Sequence, residues 1–193
     1  MTISHLTINK LHSYADYLKW QLEERIELIK GKIYEMSGPS RVHQKLSGRI
    51  FLEVGTFLKD KTCEVYSAPF DVRLPKKSNN DRDIYTVVQP DICVVCDHSK
   101  LDDKGCLGAP DIVVEILSPG NNVKELKYKY EVYEEAGIKE YWIVSPQDRT
   151  FSVYTLKDGK YHPSRIMVEG DIVKSKVLPG FKLDLKALFD KID

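Results

Sequence analysis

Long hydrophobic runs are missing from this sequence of 193 residues. No run approaches the roughly 20 apolar residues that a transmembrane helix needs, so we expect no membrane partner. Residues 1–10 lack a basic segment followed by an apolar one, which predicts no signal peptide and a cytoplasmic protein. In a reducing cytoplasm, the cysteines are expected to be free thiols. There are four of them: Cys63, Cys93, Cys96 and Cys106.

Net charge is also missing, because 29 basic residues balance 29 acidic ones. The chain therefore has no global basic field to attract nucleic acid. Zero net charge does not exclude a nucleic-acid substrate, because the acidic residues of an active site can offset basic ones, and a local basic patch is sufficient to bind a phosphate backbone. The candidates for phosphate contact are Lys76, Lys77, Arg82, Lys124, Lys127 and Lys129.

Several catalytic signatures are absent, including a phosphate-binding glycine loop, a serine-nucleophile elbow and an HExxH helix. Cys93 and Cys96, with His98 and Cys106 nearby, raise the alternative of a zinc-stabilised interaction domain. Residues three apart in a strand point to opposite faces, however, and the intervening residues are two valines. This spacing argues against a zinc site.

What the sequence does contain is a mixture of helix and strand patterns, with 42% hydrophobic residues to form a core. Helices are predicted over 12–22, over 41–60 after Ser40, from a cap at Asn121 or Asn122 to Ala136, and over 183–189. Strands are predicted at 25–30, 32–36, 63–68, 70–75, 91–96, 111–117 and 140–145, and as a meander at 150–156, 160–167 and 172–177. This order predicts an α/β core with antiparallel pairs, in a single domain over 1–193.

Two carboxylates lie on the two most strand-like segments. Asp91 opens one strand after Pro90, and Glu115 is embedded in the otherwise apolar second strand. Burial of an unpaired carboxylate costs several kcal/mol, which a divalent cation can offset. Adjacent strands lie about 4.8 Å apart, so both acids could reach one ion. Asp111 shares a face with Glu115, but four residues of strand span about 13 Å, which favours Asp91.

These residues resemble the Uma-two family, which was long catalogued as a domain of unknown function and belongs to the PD-(D/E)XK nuclease superfamily. The resemblance covers roughly residues 10–190. It is carried by Val88–Asp91, Gly108–Pro119 and Gly137–Trp142, by Ala68–Leu74, and by Glu27, Gly31, Met36, Pro39 and His43. It implies a restriction-endonuclease-like core, a mixed β-sheet flanked by helices with additional antiparallel hairpins.

The resemblance also implies site residues. Asp91 is then the first metal-binding acid and Glu115 the second. The superfamily usually has a lysine two residues after the second acid, where this chain has Leu117. The family resembles a variant whose lysine lies on the following helix, which implies Lys129, with Lys127 as an alternative. Glu27 and His43 match family positions that support the site, and His43 is expected to point toward the sheet.

The implied function is an endonuclease, expected to act on DNA with Mg²⁺ or Mn²⁺. The alternative is a non-catalytic nucleic-acid-binding or regulatory module on the same fold, which the absence of a lysine at position 117 keeps open. Asp71 and Arg73 share one face of a strand, and a structural ion pair would account for both. A homodimer is expected because cutting two strands suits two active sites.

Overall fold

The computed structural model describes residues 10–118 and 123–192, and only the backbone of residues 123–125. The described helices are α1 (Tyr14–Tyr17), α2 (Arg41–Leu58), α3 (Val123–Ala136) and α4 (Leu185–Phe189). None of the helices in this part of the chain is long and apolar enough to cross a membrane.

Most of the described strands form two large mixed sheets. The strands are β1 (Ile26–Ile29), β2 (Lys32–Glu35), β3 (Glu64–Ser67), β4 (Val72–Arg73), β5 (Val87–Val88), β6 (Ile92–Val95), β7 (Leu101–Asp102), β8 (Gly105–Leu107), β9 (Ile112–Ile116), β10 (Glu140–Ser145), β11 (Thr150–Lys157), β12 (Lys160–Pro163), β13 (Met167–Val168), β14 (Ile172–Lys174) and β15 (Lys182–Asp184). One sheet has the order β2-β1-β5-β4-β8-β7. The other has the order β12-β11-β10-β9-β6-β3, with β13 paired to β11.

Strand β9 is the centre of the second sheet, antiparallel to β6 on one side and parallel to β10 on the other. The parallel pair needs a crossover, and α3 supplies it. Alternate residues of β9 face opposite layers. Val113 lies in a core with Val132, Tyr133 and Tyr141 on the α3 side. The core on the other side includes residues of α2 and β9: Leu46, Ile50, Val54, Ile112, Val114 and Ile116.

Local signals account for the ends of the helices. Ser40 caps α2 by accepting a hydrogen bond from the backbone N–H of His43. Gly137 ends α3 with a φ of +85°, a conformation that glycine adopts without steric cost. Helix α1 is shorter than the predicted 12–22, because the N–H groups of Lys19 and Trp20 donate three residues back and tighten the chain into a turn.

Two other expectations are wrong. Cys63 and Cys96 form a disulfide, and the free cysteines among the described residues are the buried Cys93 and Cys106. The described residues contain no group of three or more His, Cys, Asp or Glu side chains placed to hold a metal ion, which counts against the zinc alternative.

The second wrong expectation concerns the predicted meander. Strand β14 does not join it and pairs with β15 in a separate hairpin.

Candidate active site

The two acids implied as metal ligands lie opposite each other on neighbouring strands. Ile92 of β6 pairs with Val114 of β9, so the next positions along this antiparallel register are Asp91 and Glu115. Asp91 Oδ2 accepts a hydrogen bond of 2.7 Å from the backbone N–H of Ile116, which ties the aspartate to the end of β9. Strand pairing thus brings together two carboxylates that are 24 residues apart in the sequence.

Below this pair lies a buried cluster of two carboxylates and one ammonium group. Lys129 Nζ lies 3.1 Å from Glu115 Oε1 and 3.0 Å from Glu27 Oε1. Glu27 comes from β1, which belongs to the other sheet, and Lys129 comes from α3. Their exposed fractions are 0% for Glu27 and 4% for Lys129. The ammonium group therefore bridges the two sheets from one helix.

Further donors fix the carboxylates of this cluster. The phenol of Tyr133 donates a hydrogen bond of 2.7 Å to Glu115 Oε1, and the backbone N–H of Gln89 donates one of 2.8 Å to Glu27 Oε1. Tyr133 follows Lys129 by four residues, so both side chains lie on one face of α3. The pKa of Tyr133 is raised well above its ordinary value by burial, so the phenol is a neutral donor.

The pKa values of the cluster reflect burial first and the neighbouring charges second. Burial raises the pKa of Glu115 most; Asp91 and Glu27 raise it further against the attraction of Lys129, and it reaches about 8. Burial acts to lower the pKa of Lys129, but Glu115 and Glu27 outweigh it and raise this pKa above its ordinary value. Lys129 is therefore a permanent cation beside a carboxylate that binds a proton unusually well.

His43 connects the acid pair to an open cleft. Its Nε2 lies 3.1 Å from Asp91 Oδ2, and its side chain is 9% exposed, as expected for a residue that points toward the sheet. Because an ionised carboxylate only accepts, Nε2 is the donor of this pair. Nδ1 is buried and has no hydrogen-bond partner within residues 10–118 and 123–192. The cleft has a volume of about 210 Å³, and its lining includes Asp91, His43, Arg25 and Ser118.

The acid pair is the part of this site where a divalent cation could bind, although the described residues form no larger group of metal ligands. Asp91, Glu115 and Glu27 lie around a single ammonium group, that of Lys129. Glu27 Oε2 is buried without a partner among the described residues, so this cluster is not satisfied by the protein alone. Carboxylate oxygens are the ligands that Mg²⁺ prefers, and Mg²⁺ is held by one or two of them together with water.

The remaining candidates lie elsewhere. Lys127 is exposed, and Lys76 pairs with Glu135 on the outer face of α3. Asp111 pairs with Lys139 and accepts from the backbone N–H of Cys96, at the far end of β9 from Glu115. Lys77 and Arg82 are exposed, and the side chain of Lys124 lies outside the described residues.

The predicted ion pair between Asp71 and Arg73 is wrong. Arg73 pairs with Asp102 instead, and Asp71 accepts hydrogen bonds from Gln89 Nε2 and the phenols of Tyr14 and Tyr17. Arg73 therefore offsets the charge of an acid on β7, and Asp71 is held by neutral donors.

Sequence reasoning missed two groups that touch the cluster. One is Tyr133, whose aromatic ring has the appearance of a core residue, although its spacing of four from Lys129 is a signal that its phenol lies near the same carboxylate. The backbone N–H of Gln89 carries no signal in residue type, because every residue except proline has one.

Comparison with known proteins identifies the family. The sequence model of the Uma2 family, described as "Putative restriction endonuclease", matches residues 14–186. The chain belongs to the Uma2 family. Membership supports nuclease activity in general terms and agrees with the PD-(D/E)XK superfamily that the sequence motifs indicated.

Two relatives show how far this Uma2 protein resembles others. "Uncharacterized protein slr1290" of Synechocystis sp. (strain ATCC 27184 / PCC 6803 / Kazusa) is 27% identical over 149 residues, which are 76% of this chain and 75% of that one. A crystal structure of "a putative nuclease belonging to DUF820" from Anabaena variabilis ATCC 29413 superposes with a TM-score of 0.72 at 20% identity. The superposition covers 93% of this chain and 98% of the Anabaena chain, so the restriction-endonuclease-like fold is shared.

Proposed function

We propose that this Uma2 protein is a metal-dependent endonuclease that hydrolyses phosphodiester bonds of DNA with Mg²⁺ or Mn²⁺. The observation that carries the proposal is the buried Lys129 ammonium held by Glu115 and Glu27, directly beside the Asp91–Glu115 pair. It supplies from α3 the ammonium group that Leu117 cannot supply, and so weakens the case for a non-catalytic module.

A purely structural role explains this cluster poorly. Removing two carboxylates and an ammonium from water costs several kcal/mol per ion, and apolar side chains of similar volume often stabilise a fold as well or better. Strongly perturbed acids and bases beside a cleft are instead typical of catalytic sites. Glu115 and Lys129 fit that description, with side chains only 10% and 5% exposed.

Asp91 and Glu115 would hold the cation. When bound there, a divalent ion lowers the pKa of a water molecule and neutralises charge on the phosphate. Lys129 would stabilise the charge that develops on a phosphate oxygen, since its ammonium group is fixed in a water-poor environment. Tyr133 orients Glu115, and Glu27 orients Lys129.

His43 would hold Asp91 in place. Its Nε2 lies 3.1 Å from Asp91 Oδ2 and donates to it, whereas its Nδ1 is buried and does not face the adjoining cleft. This arrangement gives His43 a role distinct from that of a metal ligand.

The test is cleavage of plasmid, linear duplex and single-stranded DNA in Mg²⁺, Mn²⁺ or EDTA. Asp91→Asn, Glu115→Gln and Lys129→Met should abolish metal-dependent cleavage while the variants remain folded by circular dichroism. Asp111→Asn is the matched control, because Asp111 is a buried acid just before the same strand whose partners are Lys139 and Cys96.

Cleavage that survives Asp91→Asn and Glu115→Gln would contradict the site assignment. Absence of cleavage on every substrate would contradict the proposed nuclease activity. Sedimentation velocity tests the accompanying proposal of a homodimer, which a monomer at working concentration would contradict.

A further inference from the structure

A second pocket, of about 300 Å³, adjoins the cleft, and its lining includes Tyr17, Trp20 and Pro69. Arg25 lines both the pocket and the cleft. Ala68, in the cleft lining, precedes Pro69 in the pocket lining. A substrate bound at Asp91 would therefore have this pocket directly beside it.

Two aromatic side chains give the pocket an aromatic wall. Tyr17 and Trp20 are half-buried, with ring centroids 6.3 Å apart at an interplanar angle of 60°. The Tyr17 phenol accepts from Gln89 Nε2, which fixes the polar end of its ring. Every nucleobase has a π-face that stacks on aromatic side chains.

Gln89 links this pocket to the proposed active site. Its backbone N–H holds Glu27 of the buried cluster. Its side-chain Nε2 donates to the Tyr17 phenol, and its Oε1 accepts a hydrogen bond of 2.8 Å from Arg25. The pocket wall and the catalytic cluster are thus positioned by one residue.

The charges in the pocket match a base and not a phosphate. Glu24 lines the pocket, and its Oε2 is buried without a partner in the part of the chain that the structure describes. Each nucleobase carries an N–H donor on its pairing edge, from which the Glu24 carboxylate could accept a hydrogen bond once its side chain turns toward the pocket. A phosphate would be repelled by Glu24, but it would be attracted to the guanidinium of Arg25 at the junction with the cleft.

We infer that this pocket holds one unpaired nucleobase next to the phosphate that is cut, so that the substrate is single-stranded nucleic acid. The inference rests on the proposed function and adds its substrate class. Trp20 stacks on the base beside the edge-on ring of Tyr17, Glu24 accepts from the base's pairing edge, and Arg25 contacts the neighbouring phosphate.

Tryptophan fluorescence offers a direct test. Trp20 and Trp142 are the two tryptophans of the sequence, and Trp142 is 0% exposed. In EDTA, where no strand is cut, a short single-stranded DNA should quench the emission of Trp20. An abasic strand with the same number of phosphates should not quench it, and Trp20→Phe should remove the signal without preventing folding.

Affinity measured by fluorescence anisotropy gives the second readout. Trp20→Ala should weaken single-strand binding roughly tenfold or more, the usual effect of losing one stacked base. Tyr85→Ala is the matched control, since Tyr85 is an exposed aromatic side chain that lines neither cavity and should leave affinity unchanged.

The outcomes separate this inference from the proposed function. Binding without quenching, or equal affinity for the abasic strand or for a blunt duplex, would overturn the base pocket, while Mg²⁺-dependent cleavage would still uphold the nuclease. Neither binding nor cleavage would overturn both.

Discussion

Replacing Lys129 with methionine removes the single ammonium group from the buried cluster and preserves most of the side-chain volume. Glu27 and Glu115 would then face each other without the counter-charge that lies 3.0 and 3.1 Å away from them. Removing one partner of a buried ion pair typically costs 3–5 kcal/mol, because the other charge is left unpaired. We expect the metal-free variant to lose about that much free energy of unfolding.

The size of this loss should depend on pH. Glu115 has a pKa raised to about 8 by burial and its neighbouring carboxylates, even with Lys129 present. Without Lys129, Glu115 can take up a proton, and this removes its repulsion with Glu27. Protonation requires less free energy at low pH. We therefore expect the destabilisation to be largest above pH 8 and smaller near pH 6, measured by urea denaturation in EDTA.

Mg²⁺ separates the structural effect of Lys129 from the catalytic one. A divalent cation at Asp91 and Glu115 would offset the missing charge, so Mg²⁺ should raise the melting temperature of Lys129→Met more than that of the wild type. At this chain length, a full loss of 3–5 kcal/mol corresponds to roughly 6–20 °C. Cleavage of DNA should remain lost even where Mg²⁺ has restored stability.

Lys127→Met is the matched control, because Lys127 is exposed and lies two residues away on the same helix. Lys127→Met should shift the melting temperature by no more than about 1–2 °C. It should leave the cleavage rate unchanged. Full cleavage by Lys129→Met in Mg²⁺ would refute the catalytic role. Unchanged stability in EDTA would refute the reasoning about the buried charges.

Three further perturbations test the site and the fold. In EDTA, the wild-type free energy of unfolding should fall as pH rises from about 4.5 to about 8. The reason is that the raised pKa of Glu115 makes the folded state hold a proton that the unfolded state releases. Glu115→Gln should flatten this pH dependence, measured by urea denaturation. Gly105→Ala should cost about 2 kcal/mol or more, since Gly105 has φ +115° and a Cβ there would collide with the backbone oxygen of Asp71. Gly159→Ala, at φ +74° in open space, should cost only about 1 kcal/mol, and equal losses would contradict the steric argument. Glu140→Ala should lower stability by about 3 kcal/mol, because this fully buried carboxylate accepts four hydrogen bonds, and it should leave cleavage per folded molecule unchanged. A change in calorimetric stability of under about 1 kcal/mol would contradict that reading.

The elements around the site could be predicted because their signals are local. Periodicity and a serine cap predicted 41–60 for α2, which spans Arg41–Leu58, and β10 has the predicted bounds 140–145. The short strands β7 and β8 were missed, since two or three residues carry no measurable alternation. The disulfide was missed because Cys63 and Cys96 meet only through the pairing of β3 with β6, which brings Glu64 opposite Val95.

The site itself was only partly visible in the sequence, for a geometric reason. Alternation and strand order predicted that Asp91 and Glu115 could meet, and the register places them opposite each other. The distance from Glu27 to Lys129 depends on how two sheets pack, and the motifs indicated both residues without indicating that they touch. Lys129 lies 3.1 Å from Glu115 although Leu117 occupies the usual lysine position. The proposed chemistry requires an ammonium group at one point in space, and a strand or the next helix can supply it there. Spacing in the sequence therefore decides less about this site than the packing of α3 on the sheet.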